Sequence, residues 1–395
     1  MRRKFWALLG AALLTLPLTA PAYAQPGKDK PLAQEGPAVA IHGFVWFDSN
    51  GNGVRESNEP MLSNVAITAQ LGPQQVTQAV SQPDGTYTLT VNGPGPYTLE
   101  ASLMDTSDTG HQFVVLSSPP AIDVVAANQT DENLGLRLTS RPHDARFFAQ
   151  TGFRIDNDVI WNYFQARGGV ATFGYPVSRA FQFLGFWTQI FQRQMIQIGG
   201  SSGLPAHPMN LLDPDLMPIT NANGSAFPAF DSGMAGAAPP PNAANYGDAV
   251  SAFLQAKVPN SWNGQPVNFL NAYTQAAPAV SGANPALVAL ELWGFPTSAP
   301  AADPHNGNFV YQRFQRGILH YDATKNVTQG ILLADYFKSV LTGQNLPSDV
   351  QSQMSATPYL KLYDPTLPDA VARQANPTQE RVSGTTVLAY AFFQE

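Results

Sequence analysis

Asp48, Asn50, Asn52 and Glu59 hold the first, third, fifth and twelfth places of Asp48-Ser49-Asn50-Gly51-Asn52-Gly53-Val54-Arg55-Glu56-Ser57-Asn58-Glu59. This is the D-x-N-x-N-G-x5-E spacing with which a single loop wraps a calcium ion. The alternation lets three side-chain oxygens converge on one hard cation, and Gly53 permits the sharp turn. Val54 offers its backbone carbonyl, Glu59 can close the shell with both carboxylate oxygens, and Glu56 can join directly or through water. The expected cofactor is a structural Ca2+, bound on the order of 10⁻⁴ to 10⁻³ M as in extracellular modules. The same residues can also fold as an Asx-rich turn without metal.

Other chemistry-bearing residues are sparser. Gly199-Gly200-Ser201-Ser202-Gly203 satisfies G-x-S-x-G, but Leu204-Pro205 denies it the helix that a nucleophile elbow needs, so a Gly/Ser turn is expected. His42, His111, His143, His207, His305 and His320 show neither H-x3-H nor H-E-x-x-H spacing, leaving a zinc hydrolase without a ligand set. Asp213-Pro214-Asp215 and Asp303-Pro304-His305 read as turns whose acids could serve a glycosidase only if folding brought two of them face to face. Arg193, Arg313 and Arg316 sit among aromatic residues, where arginine stacks, pairs with a carboxylate to hold the fold, or clamps a ligand carboxylate.

These residues need elements to position them. The calcium pattern is not flanked by helices: Ile41-His42-Gly43-Phe44-Val45-Trp46-Phe47 precedes it and Pro60 follows it, so the loop is expected between strands. Thr86-Tyr87-Thr88-Leu89-Thr90-Val91 is a short β-rich run bounded by Asp84-Gly85 and Asn92-Gly93-Pro94-Gly95, both turn signals. Several such runs imply an all-β sandwich. From Ile41 to about Leu138 the chain resembles the B-type domains of serine-aspartate-repeat and collagen adhesins. The resemblance rests on Gly43 to Asp48, Asn50, Asn52-Gly53, Glu59, Val65 to Ala69, Asp84 to Leu89 and Gly95 to Leu99. It implies a prealbumin-like β-sandwich, a spacer role at the cell surface, and calcium that rigidifies the loop. Pro60 stands where that family places a glycine.

From His143 onward the pattern becomes helical. Val159, Ile160, Tyr163 and Phe164 share a helical spacing, Asp156 or Asn157 can cap them, and Gly168-Gly169 stops the run. Phe173-Gly174-Tyr175-Pro176-Val177-Ser178 then leads to a strand-like run, Trp187 to Gln197. The same grammar returns in Trp293-Gly294-Phe295-Pro296-Thr297-Ser298 and Phe309 to Tyr321, with Phe-Gln-Arg shared at Phe191 and Phe314. This pattern looks like the short LGFP-type repeats of secreted bacterial proteins, and the block from about Arg146 to Asp364 looks like a module of uncharacterised exported bacterial proteins. The resemblance implies a binding or architectural role. Tyr175 with Ser178, and Phe295 with Ser298, could each present an aromatic face and a hydroxyl to a sugar, or could simply be core.

Arg2, Arg3 and Lys4, the apolar run Phe5 to Leu16 and Ala22-Tyr23-Ala24 read as a signal peptide over residues 1–24, so the mature chain is expected to be exported and without a membrane span. The formal net charge of −7 becomes three units more negative on cleavage, which argues against nucleic acid as a partner. No cysteine is present, so an exported chain must be held by its core, or by core and metal. The expected organisation is a linker at 25–39, a β-sandwich at 40–138, an α+β module of two related halves at 144–365 with a linker or loop at 233–246, and a C-terminal segment at 366–395. Its ending, Val387 to Glu395, reads as a strand. The function expected is that of an extracellular or cell-surface binding protein for a cell-wall polymer, glycan or surface protein. The alternative is a secreted cell-wall or polysaccharide hydrolase with its acids in the second module.

Overall fold

Successive side chains of a strand face opposite sides, and the run around Leu89 obeys that rule. In the computed structural model, Tyr87, Leu89 and Val91 are buried while Thr86, Thr88 and Thr90 are exposed. The structure describes residues 36–102, 121–124, 130–137, 143–199, 206–275, 283–363, 382, 385 and 391–394. The signal peptide, most of the 25–39 linker, the G-x-S-x-G stretch beyond Gly199 and most of 366–395 lie outside these residues.

The first unit comprises β1 (Ala38–Phe47), β2 (Ala66–Leu71), β3 (Gln74–Val80), β4 (Thr86–Asn92), β5 (Gly95–Ser102), β6 (Ala121–Val124), β7 (Thr130–Asp131) and β8 (Leu134–Leu136). One four-stranded sheet runs β4-β1-β7 with β8 also on β1, and the other runs β3-β2-β5-β6. β7 and β8 pair with β1 in parallel; the remaining pairs of both sheets are antiparallel. Ile67 and Ala69 of β2 and Tyr97, Leu99 and Ala101 of β5 share one core with Ile41, Val45 and Phe47 of β1 and Leu134 and Leu136 of β8. Val39 belongs to that core too, so the unit begins by Ala38, inside the segment expected as linker. The glutamine-rich β3 occupies an edge, where a polar, exposed strand discourages pairing with other chains.

The second unit opens with the pair β9 (Phe147–Phe148) and β10 (Phe153–Arg154), then α1 (Asp158–Ala166) and α2 (Gly169–Phe173). A four-stranded antiparallel sheet follows: β11 (Phe181–Phe183), β12 (Phe186–Ile190), β13 (Met195–Ile198) and β14 (His207–Pro208). Next come β15 (Asn221–Ala222), β16 (Ser225–Ala226), α3 (Ser232–Gly236), α4 (Tyr246–Lys257), α5 (Phe269–Gln275) and α6 (Pro285–Trp293). A second four-stranded antiparallel sheet is made by β17 (Ala301–Ala302), β18 (Phe309–Arg313), β19 (Ile318–Asp322) and β20 (Val327–Gly330), before α7 (Leu333–Thr342) and α8 (Ser348–Met354). The fold as a whole is mixed and β-rich.

The capping expected for α1 is present: Asn157 Oδ1 accepts the N–H groups of Val159 and Ile160 at 2.9 and 3.0 Å. Ile160, Tyr163 and Phe164 are buried, while Val159 of the expected apolar face is exposed. Each of the two aromatic runs expected as a strand is a hairpin instead. Phe191 to Gln194 turn between β12 and β13, and Phe314 to Gly317 turn between β18 and β19, each closed by an N–H to carbonyl bond of 2.9 Å. The segment 233–246 starts within α3, whose first N–H groups are capped by Asp231, and continues as turns into α4. Residues 391–394 do not form a strand: Ala391 is buried and accepts the Arg179 N–H at 2.7 Å, and Phe393 packs on the first unit's core.

Candidate functional site

Two turns with the same hydrogen bonds frame the second unit. Gly174 caps α2 at φ 77°, ψ −174°, and Gly294 caps α6 at φ 71°, ψ −179°. That corner of conformational space is essentially restricted to glycine. Gln192 and Gln315 lie flat against these glycines; a Cβ added at Gly174 or Gly294 would come within 2.7 or 2.6 Å of the glutamine Cβ. Each glutamine Oε1 accepts the next N–H, from Tyr175 at 3.1 Å and from Phe295 at 2.9 Å. Each turn then bridges a proline to a hairpin phenylalanine, Pro176 to Phe191 and Pro296 to Phe314.

The serines of these turns face inward. Ser178 Oγ accepts the Ile190 N–H at 3.0 Å and Ser298 Oγ accepts the Arg313 N–H at 2.9 Å, with both residues buried. Neither hydroxyl is offered to a ligand, in correction of that expectation, because each satisfies a hairpin N–H that would otherwise be buried unpaired. Tyr175 and Phe295 are half-buried, edge-on to Phe148 and Phe253 respectively. Arg313 is 1% exposed and donates to the carbonyls of Ile219 (2.8 Å) and Leu212 (3.2 Å). Burial lowers its pKa to about 10, and it ties the turn to the fold instead of reaching a ligand. Arg316 donates to Asn210 Oδ1 at 2.8 Å and to the carbonyls of Leu290 and Glu291, so it too is committed to the protein.

Arg193 is placed differently. Its N–H reaches the Phe173 carbonyl at 2.9 Å and its Nη1 the Val170 carbonyl at 3.2 Å, while the rest of the guanidinium faces a groove. Burial lowers its pKa. The groove, about 720 Å³, is walled by Asn268, Asn271, Gln275, Asn326, Thr328 and Gln329. A second pocket of about 470 Å³, walled by Phe227, Phe309, Tyr311, His320 and Tyr336, lies on the opposite face of the β18-β19-β20 sheet, because paired Tyr311 and His320 alternate with Val310 and Leu319 of the other core. Arg193, Gln329 and Gly330 line both, and no Asp or Glu lines either among the described residues. The groove presents many neutral donors and acceptors, the chemistry that recognises hydroxyl-rich rings.

In the first unit, the loop after β1 closes on its own acids. Asp48 Oδ1 accepts N–H groups from Gly51 (2.7 Å) and Asn52 (3.1 Å), and Oδ2 accepts that of Gly53 at 3.0 Å. Asn50 Oδ1 accepts the Asn52 N–H, Asn52 Oδ1 accepts the Val54 N–H, and the Asn52 amide donates to Glu56. Glu59 Oε1 accepts the N–H and hydroxyl of Ser49, and its Oε2 accepts the Glu56 N–H. Asp48 is 2% and Glu59 0% exposed, and Glu56 Oε2 is shut off from solvent without a hydrogen-bond partner. The Asn52 amide is the main cause holding the Glu56 pKa below its ordinary value. Among the described residues no three His, Cys, Asp or Glu side chains gather as a metal-holding group. The loop's donor set is instead carboxylate, amide and carbonyl oxygen, which suits a hard cation, and two buried carboxylates together with an orphaned carboxylate oxygen fit one.

No family model and no curated protein matches the chain. Among solved structures, the major plantain pollen allergen Pla l 1 aligns at 12% identity over 27% of this chain and 99% of its own, with a TM-score of 0.18. A likeness that weak carries no argument. Among the described residues no helix is long and apolar enough to cross a membrane.

The remaining sequence candidates stay apart from the groove. Asp213 and Asp215 line a separate pocket of about 390 Å³ with His207 and Arg316. Asp213 Oδ1 accepts the Asp215 N–H at 3.0 Å, the turn expected for Asp-Pro-Asp. Asp303 is buried and accepts the N–H of His305 at 2.9 Å, again as a turn. The groove's amide residues escaped the sequence reading. Their one local signal is that Asn268 and Asn326 occupy left-handed turn positions at φ 48° and 52°, a conformation that asparagine tolerates.

Proposed function

We propose that this chain is a secreted, non-enzymatic extracellular protein in which a calcium-stabilised, prealbumin-like β-sandwich of the adhesin B type carries a glycan-binding α+β module. The observation that carries the binding reading is the groove of Asn268, Asn271, Gln275, Asn326, Thr328 and Gln329, which holds no lining carboxylate among the described residues. Amides supply paired donors and acceptors for sugar hydroxyls. Glycoside hydrolysis needs two carboxylates flanking the scissile bond, and none lines this groove among the described residues. The matching bonds around Gly174 and Gly294 support a module of two related halves. Calcium would be held by Asp48, Asn50, Asn52, the Val54 carbonyl, Glu56 and Glu59, where it would neutralise the buried Asp48 and Glu59 carboxylates.

The test is retention of the purified chain on cell-wall polysaccharide. Binding without release of reducing ends, weakened by Asn271→Ala with Gln329→Ala, is the expected result. The hydrolase alternative draws on Asp213, Asp215 and His207 around their own pocket. Release of reducing ends that Asp213→Asn abolishes would establish it in place of the binding reading.

A further inference from the structure

The hairpin turns place an arginine at the same position twice. The Arg193 N–H donates to the Phe173 carbonyl, as the Arg316 N–H donates to that of Trp293. Their side chains are used differently. Arg316 gives its donors to Asn210, Leu290 and Glu291. Arg193 gives one N–H to Val170 and pairs with no carboxylate among the described residues. A guanidinium carries five N–H donors and stays charged at any physiological pH, so most of this one's donor capacity remains unspent.

Its position is built. Gly330 lets β20 pass against the Arg193 stem and the Trp293 ring; a Cβ there would come 3.5 Å from Arg193 Cδ and 2.7 Å from Trp293 Cη2. Arg193 thus lies beside the β20 edge, lining both the groove and the aromatic pocket. It is the only charged lining residue of either among the described residues, apart from whatever charge His320 takes up. Burial lowers the His320 pKa, so that ring is neutral near neutral pH. The chain around this cation is net acidic, so long-range attraction does not explain an anion's approach and the contact must act at short range.

We infer that Arg193 is the carboxylate receptor of the groove, selecting an acidic saccharide over a neutral one. This inference rests on the glycan-binding reading and narrows it from sugars in general to those bearing a carboxylate, because a planar fork matches carboxylate geometry with two parallel hydrogen bonds. The neighbouring amides would read hydroxyls on the same rings.

Calorimetric titration of the full chain with an oligouronide and with its carboxyl-reduced counterpart tests this. The oligouronide is expected to bind about 10- to 100-fold more tightly, the range for a charge-assisted pair. Arg193→Gln should erase that preference, weakening the oligouronide by far more than its reduced counterpart. Arg193→Lys should restore part of it, keeping the charge without the fork. An unchanged thermal melt for the Gln variant shows that the variant is folded. Equal binding of both ligands, with Arg193→Gln silent, overturns the inference and leaves the glycan reading standing. If neither ligand binds and uncharged cell-wall glycans also fail, both readings fall.

Discussion

The Tyr163 hydroxyl donates to Glu291 Oε1 at 2.6 Å, joining α1 to α6 across 128 positions of sequence. Arg167 completes the junction with bonds of 2.9 and 3.1 Å to the two Glu291 oxygens. Burial first, and the Glu291 charge second, push the Tyr163 pKa far above its ordinary value, so the hydroxyl stays a donor. Tyr163→Phe should lower unfolding stability by about 1 kcal/mol, one net hydrogen bond. Glu291→Ala should cost more, because it leaves both the hydroxyl and the guanidinium without their acceptor. Denaturant midpoints for the two variants check the order; a larger loss from Tyr163→Phe would contradict it.

Gly294→Ala should be far more damaging than Gly185→Ala. Both glycines have positive φ, 71° and 84°, and the ψ of −179° at Gly294 puts it in the corner essentially restricted to glycine, where alanine carries strain of about 1–3 kcal/mol. Nothing lies within 4 Å of a Cβ added at Gly185, whereas at Gly294 it meets Gln315 at 2.6 Å. Relieving that contact displaces the Gln315 side chain that holds the Phe295 N–H, for a total of roughly 3 kcal/mol or more. Melting temperatures of the two variants check the order.

Calcium should raise the melting temperature of the full chain and chelator should reverse the rise. At free calcium about 100-fold above the dissociation constant, linkage adds about 2.7 kcal/mol to the unit that holds the ion. Asp48→Ala and Glu59→Gln should each abolish the calcium-dependent shift. Identical calorimetric traces with calcium and chelator for the unsubstituted chain would leave the loop as an Asx turn alone.

Acid should weaken the second unit through His320. Burial is the main cause lowering its pKa from the model-compound value of 6.5, and its Nδ1 is buried without a partner. A folded pKa below the unfolded one means that the unfolded chain binds the proton more readily. The stability is therefore whole above about pH 6.5 and lost as pH falls from there through the folded pKa. His320→Gln should flatten the stability profile in that window, and an unchanged slope in the variant would assign it to other groups.

The strands of the first unit were legible because their information is local. Alternation in β4 and the Asp84-Gly85 turn each lie within a dozen residues, and both reappear in the structure. The hairpins were misread as single strands because Gln192-Arg193 and Gln315-Arg316 lack Gly or Pro at the turn's centre. Their turns are closed by glutamine side chains reaching back to the distant Tyr175 and Phe295. For Ser178, Ser298 and Arg313 the fold-holding alternative prevailed over the ligand-facing one, a choice residue type cannot make because it does not say which way a turn faces. The groove was illegible because Arg193, Asn268, Asn326 and Gln329 become neighbours only when the hairpins and α5 pack.

Phe393 lies edge-on to Phe47 at 5.0 Å, while its neighbour Phe392 packs on Phe181 and Tyr363. Residues 391–394 therefore touch the cores of both units. A growing chain folds its N-terminal unit first, as soon as that unit has emerged. The contact of Phe47 with Phe393 must then wait until synthesis reaches Phe393. Residues 391–394 are thus a latch closed after both units have folded. A protease that removes them should leave each unit's strands in place yet loosen the two together, visible as faster hydrogen exchange around Phe47 and Phe181 in the clipped chain.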